Sequence, residues 1–133
     1  MDVDIVEKKL DRWLKEMRRG TLEFWVLNLL NEEPMYGAKL CKILSDWSKG
    51  LVNIKAGTIY PLLKRLEEDG WIEETTITIQ EGEKGPERKI YGVTDTGEQL
   101  IKAMIESWTS IFEKMFKLVE KNFKSLKSMM EDL

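Results

Sequence analysis

Cationic and hydrogen-bonding side chains gather in two stretches of this sequence. Asn53, Lys55, Thr58, Tyr60, Lys64 and Arg65 form the first, and Lys84, Arg88 and Lys89 the second, with Tyr36 and Lys39 upstream. Lysine and arginine neutralise phosphates, and short polar side chains fix register on a sugar–phosphate backbone, so this chemistry suits a polyanion such as duplex DNA. The same cations would also serve as a solvated helix face, and Tyr60 as a core aromatic. Catalytic chemistry is poorly supplied. Histidine is absent and Cys41 is the single cysteine, which removes most metal sites, most proton transfer near neutral pH and the activated-thiol pattern. No Gly-rich phosphate loop occurs. The expectation is no enzyme, no metal and no cofactor.

Periodicity places these residues on elements. Val3, Val6, Leu10, Trp13 and Met17 make an apolar stripe on a charged helix, with Arg18-Arg19-Gly20 as its expected end. A second helix is expected from Thr21 to the Asn31-Glu32-Glu33-Pro34 break. Leu22, Phe24, Trp25, Val26, Leu27, Leu29 and Leu30 make it apolar on more than one face, so it belongs at the core. Leu40, Ile43, Leu44 and Trp47 define a third helix over 36–48 with Lys39 and Lys42 outward, and Lys49 just beyond. Ile59, Leu62, Leu63 and Leu66 define a fourth over about 55–69, ended by Gly70. Pro61 belongs in a first turn, which would move the start of this helix toward Thr58. The period then changes to that of a strand over 71–79, a loop over 81–86, and a second strand from Arg88 to Thr94, together a β-hairpin.

A last helix follows Asp95-Thr96-Gly97. Ile101, Ile105, Trp108, Phe112, Met115, Val119, Asn122, Leu126, Met129 and Leu133 alternate steps of 4 and 3, and nine of these ten positions are apolar. A 3.5-residue period calls for another helix, and so long a helix calls for a second chain. Asn122 would fix register or mark where the helix leaves its partner. The fold class is therefore mainly α with a small β-hairpin: a winged helix-turn-helix plus a long C-terminal dimerisation helix. Three segments divide the work: 1–19 as an N-terminal helix in dimer contact, 20–94 as the DNA-binding domain, and 95–133 as the dimerisation helix.

The 133 residues suffice for one core, and 42% hydrophobic with 34% charged residues is ordinary for a globular protein. The net charge of -3 counts against a nucleic-acid partner, but it is uneven: residues 36–94 carry nine basic and nine acidic groups, while 1–35 carry six against eight. A lone cysteine, an acidic start unlike a signal peptide and no span-length apolar run point to the cytoplasm. Cys41 reads as a small buried hydrophobe ahead of a redox sensor.

Gly57-Thr58-Ile59-Tyr60-Pro61-Leu62-Leu63-Lys64-Arg65-Leu66-Glu67-Glu68-Asp69-Gly70 resembles the signature of PadR-type regulators. Tyr36-Gly37, Gly85-Pro86-Glu87-Arg88-Lys89-Ile90-Tyr91 and Thr94-Asp95-Thr96-Gly97 fit the same family, so the resemblance covers about residues 20–110. It implies a DNA-binding homodimer, repression relieved by small molecules, and a C-terminal helix packed on the partner's N-terminal helix. The single C-terminal helix is similar to the family's smaller subgroup. In the lactococcal multidrug-responsive member of that subgroup, a tryptophan at the position of Trp108 sandwiches flat aromatic compounds. By that resemblance Trp108 binds an aromatic effector, with Met104, Ile105 and Phe112 as neighbours. The dimer interface would comprise Val6, Leu10, Trp13, Met17, Ile101, Ile105, Trp108, Phe112, Met115, Val119 and Leu126. At a heptad-core position, Trp108 could equally serve packing alone.

Three features depart from the family pattern. Lys55 stands where a capping serine is common, leaving Asn53 to cap. Gly92 replaces an arginine after the wing tyrosine, and the N-terminus is extended. The alternative reading is a winged-helix protein-interaction module without DNA binding, which the net acidity favours. Duplex binding that weakens steeply with salt separates the two.

Overall fold

The computed structural model describes residues 3–48, 54–75, 89–123 and 131–132. Its elements in order are α1 (Val3–Glu32), β1 (Met35–Tyr36), α2 (Gly37–Trp47), α3 (Ala56–Glu68), β2 (Ile72–Thr75), β3 (Ile90–Val93) and α4 (Asp95–Asn122). Backbone packing separates two compact units, 1–99 and 100–133.

The first unit is built around α1. Leu22, Val26, Leu27, Leu29 and Leu30 are buried on its second half, as the many-sided apolar run demands. They share the buried set with Leu40 and Leu44 of α2, with Ile59, Leu62, Leu63 and Leu66 of α3, and with Met35, Ile72 and Tyr91 of the sheet. Helix α2 packs on α3, α3 on β2, and α1 on β3. The sheet has the order β1-β3-β2 and is antiparallel throughout. Ile72 pairs with Val93 and Thr75 with Ile90. On the other edge, Met35 pairs with Tyr91 and Tyr36 with Ile90.

Two expectations about helix ends are corrected. No break occurs at Gly20: α1 is one helix of 30 residues. A glycine inside a helix costs only about 1 kcal/mol relative to alanine, and no proline adds to it. The Thr21 hydroxyl donates to the Met17 carbonyl at 2.8 Å, keeping this polar group within the helix. Nor does α3 wait for Thr58. It begins at Ala56 and carries Pro61 in its second turn, and Lys55 is its N-cap residue. A proline there costs about 3 kcal/mol. Burial of Ile59, Leu62, Leu63 and Leu66 at roughly 1.5–3 kcal/mol each outweighs it. Strand β1 is an addition that two residues after Pro34 could not signal by alternation.

The end of α3 matches expectation and is joined to the start of α4. Gly70 has φ +83°, the left-handed conformation that suits glycine. Its N–H donates to the Glu67 carbonyl and the Trp71 N–H to the Leu66 carbonyl, each at 3.0 Å, the paired bonds of a Schellman ending. The Gly70 carbonyl then accepts the hydroxyls of Thr94 at 2.6 Å and Thr96 at 3.1 Å. Thr94 caps α4, its hydroxyl oxygen accepting the Gly97 N–H at 3.1 Å. The Trp71 carbonyl accepts the Thr94 N–H. A Cβ on Gly97 would overlap that carbonyl oxygen, so this close approach requires glycine. Gly92 is also a packing position, where a Cβ would come within 3.0 Å of the Thr75 methyl.

The second unit consists of α4 beyond Gln99. Ile101 is buried, at 2% exposure, whereas Ile105, Trp108, Ile111, Phe112, Met115, Leu118 and Val119 are exposed. Trp108, Phe112 and Phe116 follow one another along the helix, with ring centroids 6.4 and 5.9 Å apart.

Candidate nucleic-acid interface

Helix α3 buries one face and turns the other outward. Lys55, Thr58, Tyr60, Lys64 and Arg65 are all exposed, one helical face away from Ile59, Leu62, Leu63 and Leu66. Charge is also sorted along the helix. The cations fall from the N-cap to Arg65, and Glu67, Glu68 and Asp69 follow at the C-terminal end. A polyanion is therefore attracted to the outward face between Lys55 and Arg65, the latter already in the last turn, and repelled from the acidic residues that follow.

The helix starts strengthen that polarity. Lys55 as N-cap supplies no side-chain hydrogen bond, and neither does Tyr36 at the start of α2. An uncapped start leaves backbone N–H donors for an anion, with the helix dipole favouring negative charge. At α3, the Lys55 carbonyl takes the N–H groups of Thr58 and Ile59 at 2.9 and 3.1 Å. The Tyr60 ring lies against Gly37, where a Cβ would come within 2.9 Å of it, so glycine lets the ring settle across the start of α2. Tyr60 stays 51% exposed, and the reading as a core aromatic fails.

Lys39 is engaged by its own chain. Its ammonium donates to the Glu33 carboxylate at 2.8 Å, and this hydrogen bond, followed by the attraction of the two charges, raises the Lys39 pKa above its ordinary value. An exposed pair of this kind is worth little, so it is readily exchanged for another anion. Lys89 is exposed at the entry to β3, and Tyr36 is half-buried. Asn53, Lys84 and Arg88 lie outside the described residues, as does Leu126.

Of the residues expected at an aromatic-effector site, Met104 is half-buried, and Ile105, Trp108 and Phe112 are exposed on α4. Phe116 extends the aromatic run and was not singled out by the heptad spacing. Cys41 is half-buried, and burial raises its thiol pKa, so the reactive thiolate is disfavoured. Among the described residues no group of three or more cysteine, aspartate and glutamate side chains could hold a metal. Among them, too, no helix is long and apolar enough to cross a membrane.

Sequence reasoning passed over one basic feature. Arg18 and Arg19, read as the end of a helix, lie inside α1 and line a cavity of about 510 Å³ together with Lys15 and Arg65. Their spacing from Lys15 could have flagged a basic helix face, had Gly20 not been taken for a stop.

A three-helix head with α2 and α3 side by side, followed by antiparallel β2 and β3, defines a winged helix-turn-helix. Residues 26–103 match the model of the Transcriptional regulator PadR-like family, and the chain belongs to that family. It is similar to the crystal structure of a PadR family transcriptional regulator from Eggerthella lenta, 33% identical, with a TM-score of 0.72 over 89% of this chain and 98% of that one. A PadR-like regulator from Bacillus cereus is 30% identical, with a TM-score of 0.68 over 79% of this chain and 97% of that one. The transcriptional regulator YqjI of Escherichia coli is 29% identical over 72% of this chain, which spans only 43% of that relative. The protein is thus a transcriptional regulator by family, which implies DNA binding.

Proposed function

We propose that the protein is a homodimeric PadR-like repressor released by a small aromatic effector. The observation that carries this reading is the outward face of α3, where Lys55, Thr58, Tyr60, Lys64 and Arg65 stand exposed above a buried apolar face. In the dimer, two such helices enter successive major grooves of a palindromic operator about one helical turn apart. Lys89 and the cations Lys84 and Arg88 contact the backbone beside the groove.

Dimerisation falls to residues 1–19 and 95–133, leaving 20–94 to DNA. The support is chemical. Val6, Leu10, Trp13 and Met17 on α1, and Ile105, Trp108, Phe112, Met115 and Val119 on α4, are large apolar side chains exposed in the single chain. Stripes of this kind mark association surfaces in soluble proteins. The exposed ring of Trp108, with Phe112 a turn away, offers a flat apolar seat for an effector between paired α4 helices. A regulator of this kind works in the cytoplasm.

The test is a salt titration of the purified protein on duplex DNA from upstream of its own gene, with a scrambled duplex as control. The expected result is salt-sensitive binding that prefers the upstream sequence and is weakened by Lys64→Ala or Arg65→Ala. No preference at any salt would overturn the reading in favour of a protein-interaction module. Quenching of tryptophan fluorescence by planar aromatic compounds that Trp108→Phe abolishes, with loss of DNA binding by the wild type, tests the effector.

A further inference from the structure

The cavity between the middle of α1 and the start of α3 is lined by Lys15, Arg18, Arg19 and Arg65, with Glu23 the one carboxylate among its lining residues. This local excess of positive charge stands out in a chain whose net charge is -3. Leu22 of α1 and Gly57, Thr58, Pro61 and Leu62 of α3 complete the lining, which brings the first turn of α3 to the same cavity. That turn has no side-chain cap, and a Cβ on Gly57 would meet nothing within 4 Å, so its backbone faces open space. Arg65 belongs both to this cavity and to the outward face of α3.

We propose that this cavity is a phosphodiester seat: Lys15 and Arg19 of α1 hold a DNA backbone phosphate flanking the groove that α3 enters. The proposal rests on the DNA-binding reading and enlarges its footprint to residues upstream of residue 20. Cations supply the affinity and the backbone N–H groups at the start of α3 the direction, as at other anion-binding helix starts. No base edge is involved, so the seat adds affinity and register without sequence preference. A volume of about 510 Å³ leaves room for a phosphate group.

The experiment compares salt titrations of the full-length protein and a Lys15→Ala/Arg19→Ala variant on upstream and scrambled duplexes. The slope of log affinity against log salt should become shallower by about one to two, with both duplexes weakened by the same factor. Lys8→Ala/Lys9→Ala removes equal charge from the same helix away from the cavity and should leave the slope as in the wild type. A charge-retaining Lys15→Arg/Arg19→Lys variant should also keep it. An unchanged slope in the first variant, while Lys64→Ala still weakens binding, would overturn the seat and leave the DNA reading intact. An equal loss in the Lys8/Lys9 variant, or in the charge-retaining one, would also overturn it, by showing diffuse charge or altered packing. Absence of salt-dependent duplex binding by the wild type would instead sink the DNA reading, and the seat with it.

Discussion

In the second half of α1, Leu22, Val26, Leu27, Leu29 and Leu30 are buried, whereas Val3, Val6, Leu10, Trp13 and Met17 of the first half are 44–67% exposed. Both halves belong to one unbroken helix. Apolar spacing announces that a face is to be covered, but it is silent on what covers it. For the second half the cover lies in the same chain, in α2, α3 and the sheet. For the first half the described residues leave it uncovered, which is the physical basis for proposing a second chain.

The largest test of this contrast strikes the self-sufficient unit at its tightest point. Gly97→Ala forces a methyl group into the Trp71 carbonyl and should cost about 4 kcal/mol or more, read as a collapse of the thermal melting temperature. Next, Leu27→Ala and Leu10→Ala compare the two halves of α1 directly. The first should cost about 2–5 kcal/mol at every protein concentration. The second should cost under about 0.5 kcal/mol in dilute protein and show its full effect only where wild-type melting rises with concentration. Equal, concentration-independent losses would erase the distinction.

A smaller effect is expected at Gly70. Alanine in its left-handed conformation should cost about 1–2 kcal/mol, with DNA binding otherwise retained. The smallest concerns pH. Burial raises the pKa of the Cys41 thiol, and burial followed by Glu67, Glu74 and Tyr60 raises that of the Tyr91 phenol. Both neutral forms are favoured by the fold. Their contribution is complete below the unfolded values, near 9 and 10, and is lost as pH rises through the raised folded values. Melting measured from pH about 8 to about 11 should decline less steeply in Tyr91→Phe and Cys41→Ala than in the wild type.

Much of the head was legible because its signals are local. Ile59, Leu62, Leu63 and Leu66 spell the inner face of α3, and with it the outer one, while Gly70 spells the end. What escaped depended on the balance between terms of opposite sign. Gly20 disfavours a helix by about as much as a single buried methylene favours one, and the sequence alone does not weigh them. Pro61 was read against the helix for the same reason. Strand β1 is two residues long, and its pairing with Tyr91 and Ile90 is a long-range event without a local period. The basic cavity escaped because Arg18 and Arg65, which line it together, are distant in sequence, and because Gly20 was taken to end the first helix. Along α4 nearly every side chain from 102 to 123 is exposed, on and off the heptad positions alike, whereas Ile101 is buried.

The joint at Gly70 has a mechanical consequence. One carbonyl holds the hydroxyls of Thr94 and Thr96, and Gly97 sits hard against the next carbonyl along, so the end of α3 and the first turn of α4 share a rivet. Pulling the first turn of α4 away from the end of α3 would break both hydroxyl bonds to the Gly70 carbonyl together, so the two ends part as a unit or not at all.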